Sequence, residues 1–113
     1  MHEMSIAQSI IEIVDDTLAE NEKELLREVV VDVGELVAVV PDSLQFCYET
    51  IVSGTIYDKA ELKINVLPLK IKCNNCEVES KIEKYSFLCP ECDSTNINVI
   101  SGEELNIRYL EVD

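Results

Sequence analysis

Residues 72–94 read KCNNCEVESKIEKYSFLCPECDS. Cys73 and Cys76 form one Cys-x-x-Cys pair, and Cys89 and Cys92 form a second. Each such turn can aim two sulfurs at one point, and two turns on facing hairpins make a tetrahedral four-sulfur site. Zn(II), with a filled d shell, accepts that geometry. Pro90 tightens the second turn by fixing one backbone dihedral. Rubredoxin-type iron would also take four thiolates, but in small aromatic-rich chains. A redox pair would normally be one Cys-x-x-Cys opening a helix. Four thiolates leave no open coordination position, so the expected role is structural, not catalytic. A stretch of roughly thirty residues with few apolar side chains cannot build its own core, so metal binding would fold it. The spacing predicts a zinc-ribbon domain over residues 71–100.

On either side of the ribbon the pattern changes. Residues 4–20 place Ile6, Ile10, Ile13, Val14 and Leu18 at helical spacing, with acids mainly elsewhere. Ser5 and Gln8 have capping-box spacing, although the helix could equally begin at His2. LREVVVDVG alternates Val29, Val31 and Val33 against Glu28, Val30 and Asp32, a strand with one buried side. Pro41-Asp42-Ser43 signals a second helix, with Asp42 as a candidate cap and Leu44, Cys47, Tyr48, Ile51 and Val52 as its stripe. Gly54 would stop it. Cys47, far from the other cysteines, reads as a small apolar core residue.

ELKINVLPLKIKC is extended, with Leu62, Ile64 and Val66 alternating. Pro68 implies an edge strand or a bend. The chain closes with a strand alternating Leu105, Ile107 and Tyr109. The expected fold class is α+β: two helices packed on a small mixed β-sheet, formed by residues 1–70 plus 101–113, with the ribbon inserted between.

Composition narrows the functional classes. The chain has 113 residues, the size of one ordinary domain, and 47% are hydrophobic, enough for an aliphatic core. Its formal net charge is −14, which repels phosphate and argues against nucleic-acid contact. No apolar run is long enough to span a membrane, and no basic segment followed by an apolar stretch opens the chain. The expected location is the cytoplasm. Five cysteines in such a chain fit metal binding better than disulfides. No GxSxG, P-loop or HExxH occurs, so an enzyme finds little support.

The remaining chemistry lies at the start, MHEMS. His2 is the single histidine and sits beside the α-amino group. That amine titrates near ~7.7–8.0, so a metal can displace its proton at neutral pH. The Met1 amine, an intervening deprotonated amide and the His2 imidazole can close chelate rings around one cation. A fourth donor could be the next amide, Glu3 or another chain. Such nitrogen-rich square-planar coordination suits Ni(II) or Cu(II). Equally, an imidazole near a terminus can simply be solvated.

Together, MHEMSIAQSI, GELVAVVPDSLQF, CNNC with CPEC, and GEELNIRYLEVD resemble the HypA family, nickel metallochaperones of [NiFe]-hydrogenase maturation. The similarity runs along the whole chain in the same order. It implies that His2 is a nickel ligand, helped by the Met1 amine and Glu3, with Ni(II) a transient cargo. It implies that Cys73, Cys76, Cys89 and Cys92 hold structural Zn(II). It also implies work beside a HypB-type GTPase, upstream of the hydrogenase large subunit, with no turnover of substrate; some relatives also serve urease. The chain departs from relatives that carry extra histidines, having none after His2, so any remaining donor must be backbone, carboxylate, water or a partner; Asp42 could supply an oxygen but reads first as the cap of the second helix. The ribbon by itself fits another reading, a protein-interaction module without nickel transfer. A long edge strand permits a homodimer, and nothing in the sequence selects one.

Overall fold

The computed structural model describes residues 3–82 and 86–113. Helix α1 spans Glu3–Thr17, and β1, Leu26–Gly34, follows a short 3-10 turn. Helix α2, Pro41–Val52, leads to β2, Glu61–Leu67. The ribbon strands are β3, Lys70–Cys73, β4, Glu79–Lys81, and β5, Ile97–Ser101; β6, Leu105–Val112, ends the chain. The order β2-β1-β6 makes one sheet, parallel between β1 and β2 and antiparallel between β1 and β6. This mixed sheet is the one expected, and α2 supplies the crossover that a parallel pair needs. The second sheet, β4-β3-β5, is antiparallel throughout.

The main core forms where both helices lie on the first sheet. Ile6, Ile10 and Val14 of α1 meet Val29, Val31 and Val33 of β1, and Leu44, Tyr48 and Val52 of α2, all buried. Cys47 packs against this cluster, as its place on the α2 stripe required. Tyr48 is the largest fully buried side chain, and its hydroxyl donates to the Ala60 carbonyl at 2.9 Å, satisfying its one polar group. Burial pushes that phenol up to about 12. A separate cluster of Leu69, Ile71 and Ile82 stabilises the ribbon base.

Several expectations need correction. Ser5 lies inside α1, so no capping box begins there. The N-cap of α2 is Val40, without a side-chain cap; Pro41 is the first helical residue and Asp42 stands exposed in the first turn. Its charge there still complements the positive end of the helix. Val30 is buried along with its alternating neighbours, because β1 is the central strand and Lys63 and Tyr109 flank it on the outer face. In β6 the alternation breaks at a bulge: Val31 pairs with Ile107 but Val30 with Tyr109, so Leu110 and not Tyr109 joins the core. Ile13 and Val66, expected in the core, are half exposed at 51% and 52%.

Pro68 marks the departure from edge strand β2 into the ribbon, as its missing N–H allows. The return passes Gly102, and there the two sheets meet. A Cβ on Gly34 would stand 2.0 Å from the Gly102 carbonyl oxygen. The Leu36 N–H donates to that same oxygen at 2.8 Å, and the Gly34 N–H donates to Glu104 O at 2.6 Å. Gly102 itself has φ +112, a region that needs glycine.

The lower end of α1 is held by a polar cluster. The Tyr57 hydroxyl donates to Asp15 at 2.6 Å, and Lys23 pairs with Asp15 at 3.1 Å and Glu20 at 2.9 Å. Tyr57, then Lys23, hold the Asp15 carboxyl below its usual range.

Gly34→Ala forces backbone against backbone and should cost more than ~3 kcal/mol, read as a lowered urea midpoint. Gly54→Ala, with φ +77 but open space around it, should cost only ~1 kcal/mol. Tyr57→Phe removes the main group lowering Asp15, so its stability deficit is full at neutral pH, above the unfolded carboxyl range. Because the folded Asp15 is depressed, the deficit shrinks as pH falls through that lowered value, which pH-dependent urea titrations would reveal.

Candidate metal centre

The ribbon turns are built alike. In the first, the Cys73 N–H donates to Val78 O at 3.0 Å and the Glu77 N–H donates to Cys73 O at 2.9 Å. In the second, the Cys89 N–H donates to Ser94 O at 2.9 Å and the Asp93 N–H donates to Cys89 O at 2.8 Å. Both turns close on a left-handed residue four positions after the first cysteine, Glu77 at φ 61 and Asp93 at φ 60. Asp tolerates that conformation, whereas Glu gives no sequence signal for it. The first cysteine of each pair, Cys73 and Cys89, is buried; the second, Cys76 and Cys92, is exposed.

The sulfurs converge. All four lie within 4.8 Å of one another, with Cys73 to Cys92 and Cys76 to Cys89 both at 3.6 Å. That separation excludes disulfides, whose sulfurs are about 2.05 Å apart. A tetrahedron with metal–sulfur bonds of about 2.3 Å has edges of about 3.8 Å, close to the distances here. The donor set therefore fits a zinc-sized ion with four thiolates and no vacant ligand position.

The surroundings prepare the first sulfur to be a thiolate. The Cys76 N–H, at 3.5 Å, and the Asn75 N–H, at 3.3 Å, point to Cys73 Sγ and bring that thiol down to about 6. Around Cys92 the Ser94 N–H lowers the thiol, but the neighbouring Cys73 sulfur, burial and the other thiols outweigh it and push it up to about 12. Without a cation the four sulfurs cannot all ionise together, so a bound metal must displace the later protons. Three amides brace the cage: Asn74 donates to Asn96 at 3.0 Å, and Asn98 donates to Asn74 at 3.1 Å. Nothing in the sequence flagged this network.

Met1 and His2 lie outside the described residues. Glu3 is placed: its carboxylate accepts from the Val40 N–H at 3.3 Å and the Ser43 hydroxyl at 3.5 Å. The Val40 N–H leads the causes that lower its carboxyl below the usual range. The start of α1 is thus tied to the start of α2. Asp42 belongs to the first turn of α2, whereas the cysteines are carried by the ribbon: Cys73 ends β3, Cys76 lies in the turn after it, and Cys89 and Cys92 lie in the segment between β4 and β5. Among the described residues no helix is long and apolar enough to cross a membrane.

Comparison with known proteins agrees with this arrangement. The family model described as "Hydrogenase/urease nickel incorporation, metallochaperone, hypA" matches residues 1–112. The Hydrogenase maturation factor HypA of Aquifex aeolicus is 40% identical over 113 residues, covering 100% of this chain and 98% of that protein. Its counterpart in Geobacter sulfurreducens is 39% identical and covers 100% of both. Among solved structures, the Ni metallochaperone HypA from Helicobacter pylori superposes with a TM-score of 0.67 at 25% identity, covering 99% of this chain and 97% of that one. Matched from end to end by the family model and by these relatives, the chain belongs to the HypA family of nickel-incorporation metallochaperones, which are not enzymes.

Proposed function

We propose that this chain carries Ni(II) at its N-terminus and delivers it during maturation of [NiFe]-hydrogenase, while Zn(II) held by Cys73, Cys76, Cys89 and Cys92 maintains the ribbon. Family membership supports the cargo and the pathway. The observation that carries the division of labour is the closed four-sulfur cluster, which offers no position for an exchanging ion. Cargo must then bind elsewhere, and the sole histidine stands beside the α-amine. In this reading His2 and the Met1 amine are the nickel donors. Glu3 helps by holding the first turn of α1 against α2, an inference drawn from its contacts with Val40 and Ser43.

The chain divides, on this reading, into a nickel-binding α/β domain, residues 1–70 plus 101–113, and a zinc-ribbon domain, residues 71–100. It works in the cytoplasm. A HypB-type GTPase and the hydrogenase large subunit are its partners, and docking moves the ion between them without turnover. Self-association to a homodimer would be compatible with transfer and is not required by it.

Nickel titration of untagged, zinc-loaded protein tests the cargo site. His2→Ala should lose at least tenfold in nickel affinity, and acetylation of the α-amine should also weaken binding. Equal affinity in His2→Ala and wild type rejects the terminal site. Zinc removal tests the other half. Metal analysis should find one tightly held zinc per chain, retained in Cys47→Ser and lost on mild chelation from Cys76→Ser. In the zinc-free protein, amide exchange should accelerate across β3, β4 and β5 while β1, β2 and β6 stay protected.

A further inference from the structure

An open apolar trough runs between α1 and β6. Its upper part, a cavity of 290 Å³, has walls of Ile6, Ile10 and Ile13 and a floor of Val31, Val33, Leu105 and Ile107. Its lower part, 490 Å³, shares Ile13 and Ile107 and continues to Leu110 and Val112. Ile13, Leu105 and Val112 are 51%, 40% and 36% exposed. The topology explains the opening. Two helices cover the sheet, and β6 is an edge strand whose helix-facing side is only partly roofed by α1.

The rim of this trough is acidic. Asp16 stands exposed on α1 one turn after Ile13, and Glu12, one turn before Asp16, is exposed as well. Glu22 lines the lower end, and Glu103 and Asp113 bracket β6. Among the described residues, the basic side chains at or next to the segments that form the trough are engaged. Arg27 pairs with Glu111 and Asp113, Lys23 with Asp15 and Glu20, and Arg108 with Asp32.

We propose that this trough is the docking surface for an amphipathic helix of a partner protein, apolar along one stripe and flanked by Lys or Arg. Charge decides the partner. A second copy would bring another −14 and set acid against acid along the rim, whereas a basic flank is attracted. Shape decides the element. A strand added to β6 would extend the sheet sideways and leave the trough above it open. A helix lying over β6 beside α1, at the usual 8–10 Å between axes, fills it. The eight residues of β6 span about 27 Å, the length of a helix of about 18 residues. Ser5, at the upper end, lies within one turn of Glu3, so such a helix would sit close to the chain's N-terminal end.

The test uses full-length zinc-loaded protein and a synthetic 18-residue Leu/Lys peptide with helical apolar spacing. Two control peptides accompany it: the same composition scrambled to remove that spacing, and a Leu/Glu counterpart. Amide shifts in NMR titration should concentrate on residues 5–17 and 105–112, the peptide should gain helicity, and added salt should weaken binding. Ile13→Asn at one end and Val112→Asn at the other should each lose at least tenfold in affinity, with spectra unchanged in the ribbon. Equal binding of the scrambled peptide, shifts spread over all acidic surfaces, or no loss in both variants would overturn the proposal. So would a wild-type dimer that Ile13→Asn converts to monomer, since a second copy would then cover the trough.

Discussion

Gly34 and Gly102 approach so closely that no side chain fits between them. The rest of the architecture depends on that contact. β1 ends there, and the chain returning from the ribbon is accepted there as the third strand of the first sheet. Two residues after Gly34, Leu36 packs into the ribbon cluster of Leu69, Ile71 and Ile82. The same short segment passes through Ala38, with φ 59, to Val40, whose N–H meets the Glu3 carboxylate. One stretch of seven residues, 34–40, therefore touches the ribbon core, the sheet and the start of α1. An interior built this way is close-packed and shifts in discrete steps, so displacement at one end of the segment must be accommodated at the other.

Much of this was readable without coordinates because it rests on periodicity and on cysteine spacing. Both helices, the central strand, the break at Pro68 and the convergence of four thiols follow from local pattern. What was missed is what pattern cannot encode. The bulge in β6 reverses the facing of Tyr109 and Leu110, and a one-residue offset of that kind depends on the partner strand. The burial of Val30 reflects its central position, which topology sets. Asp42 looked like a cap because Pro and Asp favour helix starts, yet Pro41 took the first helical position and left Val40 as the boundary. The Gly34–Gly102 approach joins residues far apart in the chain; each glycine opens a stretch that resembles the family, yet nothing in either stretch says that the two meet.

The four-thiol cluster has a further consequence for a protein that handles nickel. Thiolate is a strong ligand for several divalent ions, and nickel and zinc both rank just below copper in the usual affinity order. An open sulfur site would compete with any terminal nitrogen site for the cargo. Under the proposed assignment the cage is filled by zinc as the ribbon folds, and its geometry then offers nickel no vacant position. The buried Cys73 and Cys89, with backbone N–H groups aimed at Cys73 Sγ, make that cage costly to open. Keeping nickel out of the cage thus depends on burial and prior occupancy, while ligand type favours it at nitrogen donors.

The same logic bears on the acidic surface. With 23 Asp and Glu against nine Lys and Arg, carboxylates are abundant, but carboxylate oxygen favours harder ions such as magnesium and calcium. They attract cations from a distance without holding nickel against nitrogen donors. Under the proposed assignment, a single imidazole, with no other histidine in the chain, gives nickel one destination that holds an imidazole. Adding histidines to the surface would raise total nickel uptake yet lower the fraction held where a partner can collect it. If nickel is held at the chain's start as proposed, scarcity of histidine and excess of acid act together: the field concentrates the ion near the protein, and the terminal nitrogen donors keep it.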